Sequence, residues 1–241
     1  MDGFNDLQPP KAYEQVQWIA DIFVALMGVG WIVNYGSMLS HAYTDSTYSM
    51  ALLPLCSNIG WELTFVLVHP SPNPYEFWVF ASLLTLNLGI MVSAARVAPK
   101  EWTHSPLVAR NSALIFLAGI IFCFAGHVSL AAQIGPALAY SWGAFICQLS
   151  LSVGALCQLL QRNSTRGTSW AMWLGRFLGS CCTVVFAALR WKFWPEAFAW
   201  LGSPLMLWGV GVFFASELTY GLCFHFVRKA ESQARRLIKT L

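Results

Sequence analysis

Seven long apolar stretches, each about 20 residues in length, dominate this sequence and are separated by short polar connections. A stretch of that length is what an α-helix needs to cross the hydrocarbon core of a bilayer. Charged residues make up only 10% of the chain, whereas they make up roughly a quarter of an ordinary soluble domain. We therefore predict an all-α integral membrane protein, built as a bundle of seven transmembrane helices.

The predicted spans fill most of the chain and leave no room for a separate soluble domain. They cover residues 18–39, 50–68, 77–95, 112–132, 137–160, 170–189 and 203–227. The connections contain the strings HPSPNP at 69–74, IGP at 134–136 and GSP at 202–204. Such proline and glycine clusters are typical of turns and of helix starts.

We interpret residues 1–241 as one membrane domain, with a polar amino-terminal segment at 1–17 and a basic carboxyl-terminal tail at 228–241. An odd number of spans places the two termini on opposite sides of the membrane. Ten of the 14 Lys and Arg residues fall on the side of the carboxyl terminus and three on the other side. Because basic residues favour the cytosolic side, we expect a lumenal amino terminus and a cytosolic carboxyl terminus, in the endoplasmic reticulum.

Two acidic residues lie deep inside predicted spans, Glu62 in the second and Glu217 in the seventh. A carboxylate at bilayer depth is costly unless it is paired, protonated or faces a polar cavity. At a rise of about 1.5 Å per residue, both acids lie roughly 15 to 18 Å from the cytosolic side. A shared layer permits one site containing both carboxyls without establishing it.

The chemistry of a buried acid suggests a function. In a dry pocket a carboxylic acid favours its neutral form, and it can then act as a general acid at neutral pH. Excluded water and aromatic ring faces suit carbocation chemistry on an apolar substrate. We expect Asn58, four residues before Glu62, to orient that acid from the same helix face.

Several aromatic residues are candidates for the wall of such a cavity, although ordinary helix packing would explain them as well. They are Trp61, Phe65, Phe213, Phe214, Tyr220 and Phe224. Arg176, in the sixth predicted span, is a further candidate. It could pair with Glu217, or it could extend its charged end to the membrane surface.

Two other classes of function also fit a buried acid pair. A small seven-span transporter would use the acids as a proton relay, and a structural partner would hold other enzymes together without chemistry of its own. A relay needs polar residues along several spans. The deep polar residues are few: Asn34, Asn58, Asn87, His127, Gln148 and Arg176. The five His and seven Cys show no metal-binding spacing, so we expect no metal.

Several long strings are more specific than any short motif. They include GWIVNY at 30–35, PLCSNIGWE at 54–62, EWTHSPL at 101–107, IGPALAYSWGAFICQLSLSVG at 134–154 and RFLGSCC at 176–182. Through these strings the chain resembles, over nearly its whole length, the small fungal membrane-bound terpene cyclases. The resemblance is strongest to the paxilline-type indole diterpene cyclases and more distant to the meroterpenoid cyclases.

This resemblance implies a metal-independent cyclase of fungal secondary metabolism that needs no cofactor. It would protonate the epoxide of an epoxidised geranylgeranyl indole and guide the cation to a paspaline-type product. A prenyltransferase and a flavin monooxygenase of the pathway would be its functional partners. The chain itself would lie in the lipid bilayer, and no nucleic acid is expected. The eleven acidic residues contain neither DDxxD nor DxDD, the clusters of soluble terpene synthases.

The resemblance also assigns the two acids. Glu62 and Glu217 match the essential acids of the family, in which the second acid is commonly Asp. Glu217 therefore departs from the family pattern by one methylene group. Which of the two acids donates the proton stays open at this point.

Overall fold

The computed structural model describes residues 7–240, and within that range all regular secondary structure is helical. This confirms the predicted all-α class. The helices are α1 (Lys11–Glu14), α2 (Gln17–Thr44), α3 (Leu52–Leu63), α4 (Pro74–Glu101), α5 (Pro106–Ile134), α6 (Pro136–Arg162), α7 (Trp170–Phe193), α8 (Pro195–Phe198) and α9 (Pro204–Thr240). A π-helical segment, Thr64–Val68, continues α3, and a 3-10 turn, Ala199–Gly202, follows α8.

Within residues 7–240, six helices are long and apolar enough to cross a membrane: α2, α4, α5, α6, α7 and α9. The remaining predicted span, residues 50–68, is a shorter apolar helix, Leu52–Val68, formed by α3 and the π-helical segment. The described residues therefore form an integral membrane bundle with six full-length candidate spans, rather than seven of equal length.

Proline residues set where several helices begin. Pro74, Pro136 and Pro204 are the first residues of α4, α6 and α9, at the turn signals identified in the sequence. Proline suits this position because the first helical N–H has no partner within the helix and its φ angle is already helical. The helices also run beyond the predicted spans, and the predicted tail at 228–241 continues α9 as far as Thr240. Apolar runs indicate only the part of a helix that meets lipid.

The helix that contains Glu62 is the innermost one. α3 packs against α4, α5 and α6, and all residues from Pro54 to Glu62 are buried. The outer helices expose apolar side chains such as Ile32, Phe122 and Leu222, as expected for a surface that faces lipid. The second predicted span therefore positions its acid inside the protein and not toward the bilayer.

The closest helix crossing joins α2 to α7 and depends on glycine. A Cβ atom on Gly30 would lie 2.6 Å from the carbonyl oxygen of Gly175, and one on Gly175 would lie 2.7 Å from the carbonyl oxygen of Gly30. Small residues allow membrane helices to approach at backbone distance. This crossing draws the polar residues Asn34 and Tyr35 of α2 toward Arg176 of α7.

Candidate active site

Glu62 is a buried acid with one neutral partner. Its side chain is 2% exposed, and Oε1 accepts a hydrogen bond from Nδ2 of Asn87 in α4 at 2.6 Å. Among the described residues, Oε2 has no hydrogen-bond partner. An amide donor does not neutralise a carboxylate, and burial disfavours the charge. These surroundings favour the protonated acid and leave one oxygen open to a ligand.

The predicted orienting contact from Asn58 is wrong. Nδ2 of Asn58 donates to Oη of Tyr35 at 3.2 Å and lies 3.8 Å from Sδ of Met50. Asn58 and Glu62 lie on the same face of α3. Asn58, however, contacts α2, whereas Glu62 contacts α4. From the sequence, Asn87 was identified only as a deep polar residue. Its contact with Glu62 could not be predicted, because helix periodicity relates residues of the same helix and Asn87 lies on another one.

Several other buried polar atoms near the bundle interior have no hydrogen-bond partner among the described residues. They are both amide atoms of Asn34, Oδ1 of Asn87, Oε1 of Gln148 and Oγ of Ser180. Buried polar side chains in folded proteins are nearly always hydrogen-bonded. Open donors and acceptors therefore lie on α2, α4, α6 and α7, in addition to Oε2 of Glu62.

Glu217 has opposite surroundings. Its side chain is 0% exposed and that of Arg176 is 1% exposed. Nε of Arg176 donates to Oε1 at 2.7 Å, and Nη2 donates to Oε2 at 3.0 Å. Of the two alternatives for Arg176, the structure shows the ion pair. A two-pronged guanidinium contact of this kind holds Glu217 as a carboxylate.

Tyr35 lies between the two acids, and the sequence did not single it out. Its side chain is buried, and its hydroxyl is within electrostatic range of Glu62 and of Arg176 and interacts with the side chain of Asn87. The sequence contains one indication that could have identified it: Tyr35 is a polar residue deep in the first predicted span, next to Asn34.

The aromatic candidates form two separate clusters. Trp61 and Phe65 pack with Phe80 and Tyr140, with ring centroids 5.1 to 5.6 Å apart. Nε1 of Trp61 donates to the Tyr140 carbonyl oxygen at 3.0 Å. The first cluster therefore lies between α3, α4 and α6, in the part of the bundle that holds Glu62.

The second aromatic cluster surrounds the ion pair. Phe213 and Phe214 pack around Phe177 of α7, and Tyr220 stacks on Phe224. The guanidinium carbon of Arg176 lies 5.0 Å from the Tyr220 ring centroid. A ring face thus lies beside the ion pair. The role of the aromatic residues as cavity wall stays a prediction.

His127 belongs to a small polar contact on the other face of α3. Its Nε2 lies 3.3 Å from Oγ of Ser57 and 3.8 Å from Sγ of Cys147. Within residues 7–240, no group of three His, Cys, Asp or Glu residues is arranged to hold a metal ion. His127 is therefore a hydrogen-bonded contact between helices.

Comparison with known proteins gives consistent results. A family model described as Pyr4-like transmembrane terpene cyclases matches residues 4–230. The chain is 60% identical to terpene cyclase terB of Tolypocladium album over 239 residues, 99% of either chain. It is 57% identical to terpene cyclase ltmB of Epichloe festucae var. lolii over 224 residues, 92% of this chain and 99% of that one. It is 57% identical to terpene cyclase idtB of Claviceps paspali over 237 residues, 98% and 99% respectively. No solved structure matches.

Proposed function

This chain belongs to the Pyr4-like transmembrane terpene cyclases, and we propose that it closes the rings of an epoxidised prenyl indole after Glu62 protonates the epoxide. As a member of that family it is a membrane enzyme that catalyses cyclisation. The alternative of a small proton-coupled transporter is therefore not favoured, and neither is a scaffold without chemistry.

The proposed substrate is an epoxidised geranylgeranyl indole, and the product is an indole diterpene of the paspaline type. The sequence resemblance to the paxilline-type cyclases supports this choice. An epoxide needs only one well-placed proton, because ring strain assists its opening. A prenyltransferase would have to supply the prenyl indole, and a flavin monooxygenase would have to supply the epoxide.

Glu62 is the proposed proton donor, and its surroundings are the observation that supports this assignment. Its partner, Asn87, is a neutral amide, and its Oε2 has no partner among the described residues. A protonated carboxyl with a free oxygen can donate directly to an epoxide. Glu217 cannot do so while both of its oxygens accept hydrogen bonds from Arg176.

Glu217 has a different proposed role. As a carboxylate fixed by Arg176, it supplies a negative charge at a defined position in a medium of low dielectric constant, where such a charge acts strongly on a cation. The ring faces of Tyr220 and the phenylalanines beside the pair would stabilise positive charge on the substrate in the same way. Glu217 thus assists ring closure after the epoxide has opened.

The arrangement in the membrane is also a proposal. The helix Leu52–Val68 has 17 residues, which span roughly 25 Å against about 30 Å of hydrocarbon, so it serves as a seventh crossing. Seven crossings and the basic tail favour a lumenal amino terminus and a cytosolic carboxyl terminus in the endoplasmic reticulum. A groove of about 590 Å³ beside α3 and α6, lined by Leu53 and Val153 among others, supports substrate entry from the bilayer.

The proposed function is tested in yeast membranes that contain the chain, with synthetic epoxygeranylgeranyl indole and no added metal. We expect a cyclised isomer from the wild type and none from Glu62→Gln at equal protein level. Glu101→Gln serves as the matched control, because Glu101 lies at the end of α4 and pairs with Arg166 at 3.1 Å. Unchanged substrate with abundant wild-type protein would refute the substrate class, and full activity of Glu62→Gln would refute the acid.

A further inference from the structure

An acid that protonates a substrate in an enclosed site must recover a proton before the next turnover. After donation, Glu62 is a buried carboxylate whose hydrogen bond from Asn87 at 2.6 Å does not supply a proton, because an amide N–H is not acidic. Leaving that charge unpaired in the bundle interior is costly. The cyclisation is an isomerisation, so substrate and product contain the same atoms. The product cation therefore loses one proton for each proton that Glu62 gave to the epoxide.

Tyr35 is the hydroxyl placed to connect these two events. It is buried within α2, and it contacts Asn58, which lies one helical turn before Glu62 on the same face of α3. It is also within electrostatic range of Glu62 itself. Nδ2 of Asn58 donates to its oxygen at 3.2 Å, which fixes the oxygen and leaves the hydroxyl proton free to point elsewhere. The positive charge of Arg176, also within electrostatic range, stabilises negative charge that develops on that oxygen.

The other buried groups that can carry protons are less well placed. Ser57, His127 and Cys147 contact one another, and Ser57 lies five positions from Glu62, on another face of α3. The carboxylate of Glu217 is held at both oxygens by Arg176. Cys147 is also within electrostatic range of Glu62, but its contacts are with Ser57 and His127. Tyr35 differs because it contacts Asn58, on the face of α3 that carries Glu62.

We infer that the Tyr35 hydroxyl returns a proton to Glu62 at the end of each turnover. This inference rests on the proposed function, and it adds a second residue to the proton chemistry. The hydroxyl acts as a relay, so Tyr35 remains neutral at the start and at the end of the cycle.

The steps balance without any further reactant. Glu62 gives its proton to the epoxide oxygen, one C–O bond breaks, and a hydroxyl group and a carbocation form. The alkenes of the prenyl chain then donate their π electrons to form the ring bonds. At the last cation a neighbouring C–H bond breaks, and its electron pair forms the final double bond. The oxygen of Tyr35 accepts that proton while its own hydroxyl proton moves to the Glu62 carboxylate.

The test compares the first turnover with later turnovers in Tyr35→Phe, by rapid quenching with epoxygeranylgeranyl indole. With enzyme in excess, epoxide consumption should proceed at the wild-type rate, because Glu62 starts protonated. With substrate in excess, the rate should fall roughly 100-fold or more, so that epoxide consumption shows a burst of one equivalent per enzyme. A purely structural role would slow both phases equally. Tyr43→Phe is the matched control, because Tyr43 lies on the same helix and is exposed.

A second variant keeps the test decisive if Tyr35→Phe does not accumulate. Asn58→Leu removes the donor to Tyr35 and should give the same burst with a smaller loss of the later rate. Equal slowing of both phases, or no slowing of either, would overturn the relay. The failure of the proposed function is distinguishable, since in that case the wild type itself forms no cyclised product.

Discussion

Glu62 and Glu217 are the same residue type in a membrane interior, yet their surroundings are opposite. Glu62 of α3 accepts a hydrogen bond from one neutral amide, and its other oxygen has no hydrogen-bond partner in the described part of the chain. Glu217 of α9 meets a guanidinium at both oxygens. In a medium of low dielectric constant the partner decides the protonation state, because neither carboxylate can rely on water. One fold thus keeps an acid and a carboxylate inside the same bundle.

The largest expected effect is the loss of activity in Glu62→Gln with stability retained. A neutral amide replaces what we propose to be a neutral acid, so the folding free energy should change little. Cyclisation should fall by about 1000-fold or more, since no proton donor remains. Product formed per amount of membrane protein and the thermal unfolding of purified protein together check this. If cyclisation activity and thermal stability are lost together, Glu62 has a structural role.

We expect Glu217→Gln to reduce the stability of the protein, which Glu62→Gln should leave nearly unchanged. Removing the carboxylate leaves the guanidinium of Arg176 buried and unpaired, which costs about 3 to 5 kcal/mol. We therefore expect a marked drop in the unfolding temperature, followed by intrinsic tryptophan fluorescence, in addition to reduced cyclisation.

The double variant Arg176→Met with Glu217→Met separates these two effects. Replacing both partners of a buried ion pair by apolar residues is often neutral for stability, so the unfolding temperature should recover while activity stays low. Recovery of both would remove any role for Glu217 in ring closure.

Asn87→Leu should have a smaller effect than either acid variant. It removes the hydrogen bond to Glu62, worth about 1 to 2 kcal/mol, and cyclisation should fall about tenfold. Asn111→Leu is the matched control, since Asn111 lies on the exposed face of α5 and, among the described residues, its side chain donates to the Leu107 carbonyl oxygen alone. If Asn87→Leu and Asn111→Leu behave alike in the cyclisation assay, the Asn87 contact is not needed.

The smallest expected effect is on the stability contributed by Asp45, an acidic residue outside the membrane spans that serves as a solvated reference. Burial raises the pKa of Asp45, but hydrogen bonds from the Gly167 N–H and from His41 outweigh it and leave the pKa below its usual value. The stabilisation is therefore present above the unfolded-state pKa of about 3.9 and is lost as the pH falls through the lower folded-state pKa. Unfolding temperatures should be measured between pH 3 and pH 7. At the acid end of this range they should decline less steeply in Asp45→Asn than in the wild type, and cyclisation at neutral pH should be unchanged.

The spans and the two acids could be predicted because they are local features of the sequence. An apolar run of about 20 residues, and a charge inside it, need no knowledge of other helices. The partners could not be predicted in the same way. Asn87 is 25 positions from Glu62, and Arg176 is 41 positions from Glu217. The sequence left Arg176 with two alternatives and assigned Asn58 wrongly, because helix periodicity describes one helix at a time.

The most direct measurement is the infrared spectrum of the carboxyl groups in purified protein at neutral pH. We predict a C=O band of a buried protonated carboxylic acid that disappears in Glu62→Gln and persists in Glu217→Gln. Loss of the band in Glu217→Gln, or its persistence in Glu62→Gln, would contradict the assignment of Glu62 as the acid and Glu217 as the carboxylate.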